Sequence, residues 1–137
     1  MKYYKLMPKD ALAVAIKMVE DSDNSEFLDI ISTGPKTVRV KVTQHNILVI
    51  ANNLAAVISP DVASIVFGDS VLKQSTEILS EKEFTMLGAA YCPYCLSEFN
   101  HYSGIDIMEN TAYQRSICGE CGRAVDSRYR LDGYMIT

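Results

Sequence analysis

The sequence lacks a membrane-spanning segment and an export signal. Its longest strongly apolar stretch, Ile47–Ile58, has 12 residues and is interrupted by Asn52 and Asn53, whereas a helix that spans a bilayer needs about 20 apolar residues. The N-terminal residues 1–5 lead into Pro8 without the apolar core of a signal peptide. We therefore expect a cytoplasmic protein with reduced cysteines and no membrane partner.

The sequence also lacks a surplus of basic residues. It has 13 Lys and Arg against 17 Asp and Glu, a formal net charge of −4. Residues 1–88 carry 9 basic and 11 acidic side chains, and residues 89–137 carry 4 and 6. Proteins that hold nucleic acid through its phosphates show a basic surplus at least locally. The charge balance therefore disfavours nucleic-acid binding.

Motifs of several enzyme classes are absent. The sequence has no glycine-rich phosphate loop, no Gly-x-Ser-x-Gly element and no cysteine–histidine nucleophile pair. A nuclease of the His-Asn-His type needs an Asp-His or His-His pair to activate water, but His101 is flanked by Asn100 and Tyr102, and His45 lies in a predicted turn. We predict a protein that is not an enzyme, with no catalytic residue and no small-molecule substrate. A site in residues 1–88 without a recognisable motif is the remaining enzyme hypothesis.

Residues 1–88 predict a small α+β domain. Between Thr37 and Thr43, Val38, Val40 and Val42 alternate with polar residues, which is typical of a half-buried strand. Residues 44–46 predict a hairpin turn into a buried strand at 47–50, and a helix that begins at residue 46 is the competing prediction.

Capping and stop signals predict several short helices in the same domain. Ser59, Pro60 and Asp61 are typical of a helix start, and Ser80 and Glu83 have the spacing of a capping box. The predicted helices cover about 8–20, 26–31, from Ser59–Asp61 to a stop at Gly68, from Asp69 or Ser70 through Leu79, and from Ser80 to Gly88.

The composition changes near Gly88, which predicts a second module at 89–137. No lysine follows Lys82, six of the eight tyrosines lie in this segment, and so do all four cysteines. The chain therefore divides into a predicted domain at 1–88 and a predicted cysteine-containing β module at 89–137.

The four cysteines form two Cys-x-x-Cys pairs. Cys92 and Cys95 are separated by 22 residues from Cys118 and Cys121, slightly beyond the common interval of about 15–20 residues for paired sites. Two residues between ligands let a tight turn present both sulfurs to one ion, and zinc prefers four tetrahedral ligands. Gly122 supplies the positive φ that such a turn often needs. The pattern predicts one structural zinc ion.

Residues 89–125 resemble a zinc ribbon: Cys-Pro-x-Cys, an insert of hairpin length, then Cys-x-x-Cys-Gly. The resemblance implies that Cys92, Cys95, Cys118 and Cys121 are the zinc ligands. It covers about a quarter of the chain and implies a fold rather than an activity, since zinc ribbons occur in transcription factors, polymerase subunits, ribosomal proteins and adaptors. Residues 1–88 resemble no family that we recognise.

Three other chemistries use cysteines in similar patterns. Cys-Pro-Tyr-Cys is also the active-site sequence of glutaredoxins, but only 42 residues follow Cys95, too few for the rest of that fold. An iron site of the rubredoxin type uses the same four thiolates and stays open. Two disulfides would require an oxidising compartment, which nothing in the sequence indicates.

Tyrosine and arginine residues of the second module predict a protein-binding surface, because these residue types are enriched at interfaces and lysine is depleted. The alternatives are that tyrosines cover a thin core or stack nucleic-acid bases. We predict a regulator, adaptor or inhibitor of a larger assembly that binds another protein, with a nucleic-acid-binding or transcription-associated zinc ribbon as the second hypothesis. The candidate partner-binding residues are Tyr113, Arg115, Arg123, Arg128, Tyr129, Arg130 and Tyr134.

Overall fold

The computed structural model describes residues 2–6, 8, 11–12, 14 and 24–130. These residues form two antiparallel sheets and several short helices, which confirms the predicted α+β class. The strands are β1 (Lys2–Lys5), β2 (Thr37–Val42), β3 (Ile47–Ala51), β4 (Leu54–Ile58), β5 (Tyr102–Met108), β6 (Thr111–Ile117) and β7 (Ala124–Arg130). The helices are α1 (Ser25–Ser32), α2 (Pro60–Phe67), α3 (Glu81–Met86) and a 3-10 helix at Asp69–Lys73.

The first sheet has the order β1-β2-β3-β4, and each strand is antiparallel to its neighbour. The predicted alternation of β2 is confirmed, with its three valines buried in the core and Arg39 exposed. Strand β3 is buried along its whole length. It has no polar face because Val49 packs into one apolar cluster while Leu48 and Ile50 pack into another on the opposite side of the sheet.

Helices α1 and α2 cover one face of the first sheet. Phe27 and Ile30 of α1 and Val62 of α2 are buried in the cluster that contains the valines of β2. The start of α2 follows the predicted signal, since the Ser59 hydroxyl accepts a hydrogen bond from the Val62 N–H at 3.3 Å. The other face of the sheet is covered by residues 79–96, which include α3 and the first cysteine pair.

Several sequence predictions need correction. The helix predicted through Leu79 is wrong: the 3-10 helix ends at Lys73 and no helix forms between it and Ser80. This segment instead forms hydrogen bonds with β2 and with the first cysteine pair's turn. The Glu77 N–H donates to the Val42 carbonyl at 2.7 Å, and the Leu79 N–H donates to the Pro93 carbonyl at 2.9 Å. The competing helix from residue 46 is also wrong, because β3 forms there.

Other local predictions are confirmed or extended. The helices predicted at 26–31, from Ser59–Asp61 and from Ser80 are present, and the Ser80–Glu83 capping box forms in both directions. Strands β1 and β4 were not predicted. Most of the helix predicted at 8–20 lies outside the described residues, although residues 11–12 and 14 are helical. No helix in the described part of the chain has the length and apolar character to cross a membrane.

The second sheet is a three-stranded meander, β5-β6-β7. Residues directly opposite one another share a face, and the register therefore defines two faces. The inner face consists of Tyr102, Ile105, Ile107, Ala112, Gln114, Ser116, Val125, Ser127 and Tyr129. The outer face consists of Asp106, Met108, Thr111, Tyr113, Arg115, Ile117, Ala124, Asp126, Arg128 and Arg130.

A buried ion pair links the first sheet to α3. The Lys41 ammonium of β2 lies 2.6 Å from Glu83 Oε1, and both side chains are largely buried. Burial alone would raise the pKa of Glu83, but hydrogen bonds from Lys41 and from the Ser80 N–H outweigh it and hold the pKa below its ordinary value of 4.5. The pair therefore stabilises the fold at neutral pH.

We expect Glu83→Gln to lower the free energy of unfolding at pH 7 by about 3 kcal/mol, because it leaves the Lys41 charge buried without its partner. Glutamine can still complete the capping box, so the variant isolates the charge. Because the pKa is lowered in the folded state, this stabilisation is present above about pH 4.5 and is lost as the pH falls through the folded-state value. Denaturant titrations at a series of pH values measure both effects.

The matched control is Glu81→Gln on the same helix. Glu81 pairs with Arg128 at 2.9 Å, but its side chain is 90% exposed, and we expect a change below about 0.5 kcal/mol. Equal losses in the two variants, or a Glu83→Gln loss that does not shrink in acid, would contradict the assignment.

Candidate metal centre

The first cysteine pair lies in a tight turn at Cys92–Leu96, the first knuckle. The Leu96 N–H donates to the Cys92 carbonyl at 2.8 Å, and the Cys92 N–H donates to the Ser97 carbonyl at 2.9 Å. Leu96 adopts a φ of 58°, in the left-handed region that costs a residue with a side chain about 1 kcal/mol or more. Its side chain is fully buried against Leu48 and Ile50 of the first sheet. Burial of this leucine therefore offsets the backbone strain of the turn.

The second cysteine pair lies in an equivalent turn at Cys118–Gly122, the second knuckle. The Gly122 N–H donates to the Cys118 carbonyl at 2.8 Å, and the Cys118 N–H donates to the Arg123 carbonyl at 2.9 Å. Gly122 has a φ of 75°, which confirms the sequence expectation for this glycine. The turn joins β6 to β7, so its position is set by the second sheet.

The two knuckles bring all four predicted ligands together. The sulfur atoms lie within 4.8 Å of one another, with Cys92 Sγ 3.6 Å from Cys121 Sγ and Cys95 Sγ 3.5 Å from Cys118 Sγ. A tetrahedral ion with metal–sulfur bonds of about 2.3 Å places its sulfurs about 3.8 Å apart. Disulfide sulfurs are about 2.05 Å apart, and all four cysteines are free. The donor set therefore fits one tetrahedral metal ion.

The surroundings of the thiols affect their protonation unequally. Burial raises the pKa values of Cys92 and Cys95. Burial also acts to raise the pKa of Cys118, but hydrogen bonds from the N–H groups of Cys121 and Glu120 outweigh it and lower the pKa to about 7. Backbone N–H groups directed at a sulfur favour the thiolate, which is the form that binds metals.

The cluster is enclosed by a small apolar shell. Phe99 is buried beside Cys92, Cys95 and Cys118, and the Phe84 and Val125 side chains pack against the same group. Within the described part of the chain, the cluster that could hold a metal ion consists of the four thiols, and His101 is not a member. His101 and His45 are both exposed, the latter in the β2–β3 turn.

The first knuckle is hydrogen-bonded to the first sheet and its following segment. Three knuckle carbonyls accept bonds from outside the knuckle: Pro93 from the Leu79 N–H at 2.9 Å, Tyr94 from the Gln44 N–H at 3.4 Å, and Leu96 from the Asn46 amide at 2.9 Å. The second knuckle belongs to the second sheet. A metal held by both pairs would therefore tie the second sheet to the first.

The candidate partner-binding residues do not share one surface. Tyr113, Arg115, Arg128 and Arg130 lie on the outer face of the second sheet, whereas Tyr129 lies on the inner face. Tyr134 lies outside the described residues.

The arginines of the second module have partners in most cases. Arg115 pairs with Asp126 at 3.0 Å and lowers the pKa of that carboxyl group. Arg128 pairs with Glu81, and the Arg123 guanidinium lies 4.4 Å from the centre of the Tyr94 ring.

Two surface features were missed in the sequence. Every residue of β5 is exposed, including the apolar Ile105, Ile107 and Met108. A groove of about 510 Å³ separates α3 from β7 and is lined by Phe84, Val125 and Tyr129 among others. The Ile-Asp-Ile alternation could have indicated the first feature, but a buried strand gives the same pattern.

Comparisons with known proteins yield no relative. No family model matches the chain, and neither the curated proteins nor the solved structures include a match. The zinc-ribbon resemblance therefore rests on the cysteine pattern and the clustering of the four thiols.

We expect Cys118→Ser to weaken metal binding at least about 100-fold and to unfold the second sheet, because one ligand of the shared ion is lost. The first sheet should keep its fold, since its core does not include the cysteines. Metal analysis and hydrogen exchange of individual amides measure the two effects. Ser116→Ala is the matched control: Ser116 is buried in the same sheet, and its hydroxyl has no partner in the described structure. A folded Cys118→Ser protein with full metal content would contradict the site.

The strained turn at Leu96 gives a second prediction. We expect Leu96→Ala to cost about 3 kcal/mol of unfolding free energy through lost burial. Leu96→Gly should cost no more than Leu96→Ala, because glycine relieves the positive φ. At Leu79, which is buried in the same cluster without a positive φ, the glycine variant should be the less stable of the two. If thermal or denaturant unfolding shows the glycine variant to be less stable than the alanine variant at both positions, the backbone strain at Leu96 is contradicted.

Proposed function

We propose that this chain is a structural zinc protein that acts by binding another protein, as a regulator, adaptor or inhibitor of a larger assembly. The observation that carries the proposal is the four-thiol cluster that joins the two sheets. A shell filled by four thiolates has no open position for a substrate, and such zinc sites are structural. We propose zinc rather than iron. A site that only connects two segments of the chain needs no redox chemistry, and zinc has none.

The second sheet supports a role in protein binding. Its inner face is covered near the knuckles, where Ser116 and Ser127 are buried, but Tyr129 at the far end is about half exposed. Tyr129 also lines the groove beside α3. A groove lined by a partly exposed aromatic side chain is typical of interaction sites, and tyrosine is among the residues that contribute most to binding. The groove is the proposed binding site for the partner protein.

The charges of the second sheet favour a protein partner over nucleic acid. Under the nucleic-acid hypothesis, Arg128 and Arg130 would contact the phosphates. Arg128 is paired with Glu81, and Arg115 beside it is paired with Asp126. A phosphate backbone would have to displace these carboxylates. Nucleic-acid binding therefore remains the second candidate.

The test has two parts. Zinc analysis of the purified full-length chain should give one zinc per chain and no iron colour. A nuclease-treated pull-down of the tagged chain should then retain a stoichiometric protein, and Tyr129→Lys should lose it while Ile65→Lys keeps it. Ile65 is the matched control because it is an exposed apolar residue of α2, which packs on the opposite face of the first sheet from the residues beside the groove.

The same experiments distinguish the two candidates. Fluorescence titration with single- and double-stranded oligonucleotides at low salt should show no saturable binding. Saturable binding that falls steeply with salt, together with loss of all partners on nuclease treatment, would replace the protein-binding proposal with the nucleic-acid one.

A further inference from the structure

Strand β5 is an open edge of the second sheet. Among the described residues, β6 is the only strand that pairs with it. All seven of its residues are exposed. Proteins usually protect edge strands with charged residues, especially lysine, or with proline, a bulge or a covering segment. In β5 the bulge lies between Tyr102 and Ile105, and residues 105–108 carry no lysine or proline and one charged side chain, Asp106. An edge of this kind is suited to pairing with another strand.

The side chains of β5 are unusually apolar for an exposed strand. Ile105 and Ile107 are 60% and 75% exposed, and both lie on the inner face. Their partners on β6 are Gln114, opposite Ile105, and Ala112, opposite Ile107. The glutamine is polar and the alanine is small, so neither covers the isoleucine beside it. A strand added beyond β5 would place its own side chains next to both isoleucines.

The hairpin indicates which backbone groups of β5 point away from the sheet. Met108 and Thr111 close a two-residue turn, and the pair that closes such a turn is hydrogen-bonded. Because the pattern alternates, Met108 and Asp106 direct their backbone groups to β6, while Ile107 and Ile105 direct theirs outward. A bulge between Tyr102 and Ile105 interrupts the regular strand on the N-terminal side.

We propose that β5 pairs antiparallel with β5 of a second copy of this chain, about a two-fold axis at Ile107, to form a six-stranded sheet. The register opposes Ile107 to the partner's Ile107 and Asp106 to the partner's Met108. The two Ile107 side chains then lie directly opposite each other, and each Ile105 is diagonal to the partner's Ile107 on the same face. Like charges are not directly opposite.

Other two-fold registers of the same strand are less favourable. Centring the axis on Asp106 places two carboxylates directly opposite, which is destabilising. Centring it on Ile105 brings the bulge of each strand into the ladder. The strand is therefore self-complementary at Ile107, which is the reason for assigning the edge to a second copy rather than to a different protein.

The proposed dimer goes beyond the proposed function and does not depend on it. The groove that contains Tyr129 lies beside β7, at the opposite edge of the sheet from β5. A dimer can form whether or not the groove binds a partner. Its regular ladder covers residues 106–108, because Glu109 lies in the turn with a φ of 55°. The interface is therefore small, and we expect a dissociation constant on the order of 10 µM.

Sedimentation equilibrium of the zinc-loaded full chain, from about 1 µM to about 200 µM, tests the proposal by bracketing that constant. The wild type should pass from monomer to dimer. Ile107→Lys and Ile107→Glu should each weaken the dimer at least about tenfold, because like charges then face each other at the axis. An equimolar mixture of the two variants should dimerise again, because lysine opposes glutamate.

The matched control is Ile78→Lys, which changes an exposed apolar residue away from β5 and should dimerise as the wild type does. Unchanged zinc content and circular dichroism establish that the variants are folded. A wild type that stays monomeric throughout would overturn the proposal, as would a mixture of the two Ile107 variants that does not reassociate. Neither result bears on the pull-down with Tyr129→Lys, so the two proposals fail separately.

Discussion

Four thiols meet within 4.8 Å although they come from turns that belong to different sheets. The first knuckle is fixed by hydrogen bonds to Leu79, Gln44 and Asn46, and the second is fixed by β6 and β7. The relative position of the two sheets therefore depends on whether these sulfurs are held together. The groove depends on that position, because α3 and the segment after it line one side of it and β7 lines the other.

The two sheets differ in how much apolar surface they bury. Strand β3 is covered on both faces, and helices α1 and α2 complete a core around it. The second sheet contributes Val125 to a cluster that otherwise consists mainly of the cysteines and a few aromatic rings. Burial of so little apolar area does not offset the entropy of ordering three strands. We therefore expect metal binding by the cysteines to stabilise the second sheet, as the hydrophobic core stabilises the first.

Local sequence signals predicted the parts of the structure whose cause is local. The valine alternation of β2, the Ser59–Pro60 helix start and the Ser80–Glu83 capping box depend on neighbouring residues, and each forms as expected. The cysteine spacing predicted the cluster because the geometry of a Cys-x-x-Cys turn is nearly self-contained. Its metal and its ligand roles stay predictions.

The failures have long-range causes. Residues 74–80 have the pattern of a helix, but hydrogen bonds to Val42 and Pro93, 35 and 14 residues away from Glu77 and Leu79, hold them in a non-helical conformation. Strand β4 was hidden because Asn52 and Asn53 interrupt an apolar run, although both adopt the positive φ of a tight hairpin turn. The exposure of β5 could not be read from its sequence, since alternation does not reveal whether a second layer exists.

The hairpin between the knuckles also affects how readily the second cysteine pair can bind an ion held by the first. Residues 96–117 separate Cys95 from Cys118, and the loop-closure entropy of a flexible segment rises with the logarithm of its length. Pairing of β5 with β6 begins at the tight turn after Met108 and brings Tyr102 opposite Ser116. Only a few flexible residues then remain between each end of the hairpin and the nearest cysteine. Formation of the hairpin therefore brings Cys118 and Cys121 close to Cys92 and Cys95. An ion bound first by Cys92 and Cys95 would meet the second pair as soon as that hairpin forms.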